Sequence, residues 1–394
     1  MATIPLQEPT TKIPANKFAL FELGFRPFFL FAGVVAVILM PLWLWMYKAG
    51  RVVEGPITFQ LWHANEMLFG YSVAVIAGFL LTAVPNWTGI KTVKGFWLAA
   101  LLLLFLLPRF SLLIPAVPVW LTALLDISFL PMLAAALATP LIRAGKIHNL
   151  IFIPLLLVMA ALHAAVYFAP AWASTAMLLE TDLILLLITI IGGRVIGFFT
   201  ERGLGMTFKT RSWPVVEYAL IAGMLLLVVV DGVAANGVWV VILSLALMIL
   251  HGIRLAGWWT NKMLSVPLIW VLQFGYAWMV IGFALKAAAV AGLVSPMLAM
   301  HAFTAGVIGG LTLGMMARVS IGHTGREMVL QPVMLWSFVL LNIAAVVRVF
   351  FPLVSGLETF AILISGILWT LAFLIFLWVY TPILIRPRVD GQPG

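Results

Sequence analysis

Residues 63–89, HANEMLFGYSVAVIAGFLLTAVPNWTG, place two ionisable side chains, His63 and Glu66, at the start of an apolar run long enough to cross a bilayer. At a spacing of three, the two share one helix face, and Gly70, Ala74 and Ala77 continue that face with small side chains that admit a neighbouring helix. An ionisable group at membrane depth costs about 2.5 to 3.5 kcal/mol on the insertion scale, so it persists where a partner, a cavity or a ligand compensates it. His63 also follows Trp62, and interfacial packing is the competing reading for the histidine alone.

A second stretch, residues 301–325, HAFTAGVIGGLTLGMMARVSIGHTG, repeats the layout, opening on His-Ala and closing on Thr-Gly after one span. Its Ala302, Gly306, Gly310 and Gly314 form a ridge of small residues at four-residue spacing, which is a signal for close helix packing beside His301.

Such runs recur throughout the chain. With 394 residues, 64% hydrophobic and 9% charged, the composition is that of an all-α, polytopic membrane protein. The pattern predicts about twelve spans: 28–47, 61–84, 95–115, 119–139, 150–168, 175–196, 215–233, 238–255, 266–285, 296–317, 333–351 and 360–380. No connection is long enough for a second domain, so residues 1–394 read as one membrane domain with short tails at 1–24 and 381–394. The alternation of these spans leaves Lys48, Arg51, Arg109, Lys286 and Arg348 on one side and the other seventeen of the 22 basic residues opposite. That bias predicts cytoplasmic N- and C-termini. The net charge of +9 then belongs to loops facing anionic lipid, and nucleic acid is not an expected partner. Zero cysteines exclude disulfides and covalent c-type haem attachment.

The predicted topology sets depth. His63 and His301 enter the second and tenth spans from the outer side, and Glu66, Asp126, His163, Glu180 and Asp182 fall in the same outer half. Either these groups serve a site or they pair among themselves. Near the inner face lie Arg194, after Gly192 and Gly193, with His251, Arg254, Arg318 and His323; His148 reads as a solvated loop residue. The Gly192-Gly193-Arg194 triplet reads as a flexible end to the sixth span, with a guanidinium suited to a carboxylate, a propionate or a lipid phosphate. No Walker A loop, HExxH or nucleophile elbow is present. Two classes remain open: a histidine-ligated redox cofactor between helices, or a proton-coupled secondary transporter without one.

GFRPFFLF at 24–31, WHANEMLFG at 62–70, AGFLLTAVPNWTG at 77–89, GGRVIGFFT at 192–200 and the stretch from His301 to Arg326 together resemble the NnrS family over nearly the whole chain. The resemblance implies a multi-pass protein of the bacterial inner membrane that carries haem and copper and is linked to nitric oxide and nitrosative stress, with an electron donor it does not identify. It carries over His63, His301, His251, His323 and Arg194 as cofactor-binding residues, and His63, His301 and Glu66 as metal-site residues. Two positions depart from the family pattern. Asn65 stands where Trp-His-x-His-Glu has its second histidine, and Gln273 in PLIWVLQFGYAW stands where the pattern has another. Copper requires several nitrogen donors, so these losses weigh against copper more than against a b-type haem held by two imidazoles.

Overall fold

The computed structural model describes residues 18–50, 58–111 and 117–394. Among them the regular structure is entirely helical. Twelve membrane elements follow one another: α1 Phe25–Lys48, α2 Phe59–Thr88, α3 Phe96–Ser111, α4 Val119–Arg143, α5 Phe152–Phe168, α6 Ala173–Gly203, α7 Pro214–Ala234, α8 Val238–Trp258, α9 Pro267–Val290, α10 Pro296–Gly322, α11 Pro332–Phe350 and α12 Glu358–Ile385. Eleven are long and apolar enough to span a membrane, and α3 is the shorter one. The end of its expected span, 112–115, lies outside the described residues. Proline starts α7, α9, α10 and α11, where its missing N–H has no intrahelical acceptor to lose.

Burial separates the centre from the rim. In α2, 89% of the most apolar window is buried against protein, compared with 22% in α7. The centre is built from α2, α6, α9 and α10, while α7 and α8 present most of their surface to lipid. The glycine ridge of α10 serves this packing. A side chain at Gly310 would stand 3.1 Å from the Gly275 backbone of α9, and one at Gly306 would enter the Trp278 ring.

The described parts of the tails are docked: the Ala19 N–H donates to Ile385 O, and the Val389 N–H to Thr324 O. Arg26 donates to the carbonyls of Ile383, Leu384 and Arg386, satisfying the end of α12. The Gly192-Gly193-Arg194 triplet does not end its helix, because α6 runs on to Gly203. Gly193 instead makes room for a crossing ion pair: a Cβ there would lie 2.9 Å from Glu217 Oε2 and 3.1 Å from Arg254 Nη2.

Candidate functional site

Both companion stretches switch to π-helical, i→i+5 bonding immediately past their histidines, at Glu66–Ser72 in α2 and Ala302–Gly309 in α10. π segments within α-helices are frequent at functional sites because the wider turn redirects side chains. Here they lie at corresponding places on two central helices.

His63 and His301 lie close enough to sense each other's charge, and Arg348 of α11 is within reach of both. The Trp43 ring of α1 stacks on His63 with centroids 4.4 Å apart. His301 donates from Nδ1 to Met297 O at 2.8 Å, which fixes its tautomer and leaves a lone pair on Nε2. Neither ring nitrogen of His63 has a hydrogen-bond partner among the described residues. Two imidazoles from different helices are therefore available as nitrogen donors at one end of the bundle.

Glu66 does not join them. Glu66 keeps α-helical register with His63, its N–H bonding to Trp62 O, but its carboxylate turns to Arg109 of α3, 2.7 Å away. Arg109 also pairs with Asp126 of α4, whose second oxygen accepts from Tyr167 at 2.8 Å. His163 Nε2 lies 3.1 Å from Asn65 Oδ1 and 3.2 Å from Asp126 Oδ2. Both are acceptors, so Nε2 carries the hydrogen. The His163 ring stacks face to face on Phe69 at 3.7 Å, and Asn65 donates to Glu66 at 3.4 Å. This network joins α2, α3, α4 and α5 away from water, where such pairs hold only when hydrogen-bonded on several sides.

The other outer-half carboxylates divide. Asp182 of α6 and Asp231 of α7 share Lys286 of α9. Glu180 is fully buried, and neither of its oxygens has a hydrogen-bond partner among the described residues. The predicted layer is thus two ion-pair networks, one unpaired carboxylate and the His63–His301 pair. Arg109, Lys286 and Arg348, counted above among the five basic residues of one side, sit inside helices beside the groups they partner or face. The available sequence signal was local: each has apolar residues on both sides, as in ALKAAAV and AVVRVFF.

The remaining predicted residues stay apart from His63. His251 of α8 shares a hydrogen with the Tyr276 hydroxyl at 2.6 Å, and Arg254 donates to that same hydroxyl; His251 Nε2 is buried without a partner. Arg194 donates to Asn149 Oδ1 at 2.9 Å. His323 follows the last turn of α10 beside Phe25, where burial, and then Arg388, hold it below the ordinary imidazole range. His148 is exposed in a short turn. Among the described residues no three His, Asp or Glu side chains converge as a metal site. Asn65 is engaged as above, and Gln273 donates to Thr200 and to Trp258 O. His63 and His301 thus leave imidazole nitrogens open to a bound group, and among the described residues no third histidine or carboxylate converges with others on a metal position.

The fold and its polar clusters define a multi-pass helical membrane protein, a twelve-helix bundle with ionisable clusters buried between its helices. A family profile described as NnrS protein matches residues 19–388, and the chain belongs to that family. Membership links it, at the level of the family, to nitric oxide. No curated protein matches the sequence.

Proposed function

We propose that the chain holds a b-type haem at the His63 end, with His63 and His301 as its two nitrogen donors, and acts in the nitric oxide response that protects a bacterial inner membrane from nitrosative stress. The observation that carries this reading is the His301 tautomer. Its Nδ1–H is committed to Met297 O, its Nε2 lone pair is free, and a second imidazole with unengaged nitrogens stands within charge reach. When bound, a haem iron held by two imidazoles would supply a one-electron change of charge. The protein orients His63 against Trp43, offers Arg348 as a cation for a propionate, and holds the π segment of α2 in place through Glu66 and Arg109. The basic-residue bias sets this end toward the periplasm.

The test is the optical spectrum of the purified, reduced protein. A b-type spectrum is expected, and His63→Ala or His301→Ala should lose haem or convert it from six- to five-coordinate. Unchanged haem content and spectrum in both folded variants would remove the assignment.

Proton-coupled transport is the second reading, favoured by one observation: Glu180, buried with both oxygens free, is suited to taking up and releasing a proton. A colourless protein whose pH-driven solute uptake is abolished by Glu180→Gln would establish transport in place of haem.

A further inference from the structure

Past the π segments, α6 parts from α2 and α10, and an apolar cleft opens between the three helices. Ile76 of α2, Ile188 and Val195 of α6 and Met315 of α10 are among its walls, and no histidine reaches it. The two hydroxyls that do, Ser72 and Thr312, each donate to a carbonyl of their own helix. The cleft therefore offers a ligand apolar contact alone. Along α6 its lining runs from Ile184 to Ile196, about 18 Å of helix, close to the ~15 Å hydrocarbon depth of one leaflet.

A cation lies about one helical turn beyond this cleft, at the end away from His63. Arg318 lies three residues after Met315 and Phe199 three after Ile196, so both continue the lining faces of α10 and α6 by about one turn. The Arg318 guanidinium sits 4.1 Å from the centre of the Phe199 ring, joining the two helices at the mouth. Arg318 is 6% exposed, its Nε has no acceptor, and no carboxylate or carbonyl among the described residues pairs with any of its nitrogens. Arg109, Arg254 and Lys286 all have carboxylate partners. A buried guanidinium without a counter-ion is costly, and the ligand that would relieve it has an anionic head and an apolar body.

The geometry points to a binding site for an anionic phospholipid, with one acyl chain in the cleft and the head-group phosphate on Arg318. The depth agrees: Arg318 lies four residues before the end of α10, near the head-group level of the leaflet opposite His63. A lipid there fills the space between three central helices and acts as a structural part of the bundle, independently of the His63–His301 site.

The experiment offers the full-length protein in detergent equal amounts of phosphatidylglycerol and phosphatidylcholine and measures retained lipid by native mass spectrometry. The wild type should retain phosphatidylglycerol. Arg318→Gln should reduce that retention by about tenfold or more, the scale of a charge-assisted hydrogen bond, and Arg318→Lys should restore much of it as a point charge. Ile188→Trp, which fills the cleft without touching the charge, should reduce retention of both lipids. Unchanged retention in Arg318→Gln and Ile188→Trp, with all variants eluting as the wild type does, overturns the proposal. Loss of a porphyrin instead of a phospholipid from Arg318→Gln overturns it as well, by assigning the cleft to haem.

Discussion

α2 and α10 have the same plan, a histidine, a π segment and a long apolar run, yet they are held by different forces. The π segment of α2 carries Glu66 and is anchored by ion pairs to α3 and, through Arg109, to α4. That of α10 carries no charge and is anchored by glycines set against α9. A direct hydrogen bond between the two helices is made by hydroxyls, Tyr71 with Thr312 at 2.5 Å. Charge thus fixes one imidazole-bearing helix and close packing the other, so the two should fail differently.

The largest effect is expected from cutting the electrostatic anchor. Arg109→Leu strands Glu66 and Asp126 as buried carboxylates, and losing one partner of such a network costs about 3 to 5 kcal/mol. Thermal unfolding in detergent should show a large loss, and the triple variant that also carries Glu66→Gln and Asp126→Asn should recover part of it. No recovery would mean that Arg109 acts through packing.

On the α10 side, Gly310→Leu drives a side chain into the Gly275 backbone, and overpacking of this kind costs about 1 to 3 kcal/mol. The double variant with Arg109→Leu should be additive within about 0.5 kcal/mol, because the two anchors share no partner. Strong coupling between them would show that α2 and α10 respond as one unit.

The smallest effect concerns the far ends, where α2 stops at Gly89 in a left-handed cap and α10 is followed by His323. The imidazole of His323 titrates below its ordinary value in the folded protein, so the unfolded chain binds its proton more readily. Stability from this group is complete above about pH 6.5 and is lost as pH falls toward the depressed folded value. Unfolding followed across that window should show a slope that His323→Phe removes.

The sequence by itself determined the class, the near count of helices and their order. Those follow from apolar length and from the cost of an unpaired backbone in lipid, which are local quantities. The layout shared by the two histidine stretches, and the family resemblance carried by those motifs, were legible for the same reason. Only the tertiary structure decided which charge meets which. The partnership of Glu66 with Arg109, of Lys286 with two aspartates, and the lack, among the described residues, of a carboxylate for Arg318 or a hydrogen-bond donor for Glu180 depend on contacts between helices far apart in the chain. Which neighbour a side chain meets is invisible in residue spacing, and Glu66, in helical register with His63, pairs with Arg109 of another helix. The cleft is likewise a property of how three helices diverge, which hydropathy along any one of them does not encode.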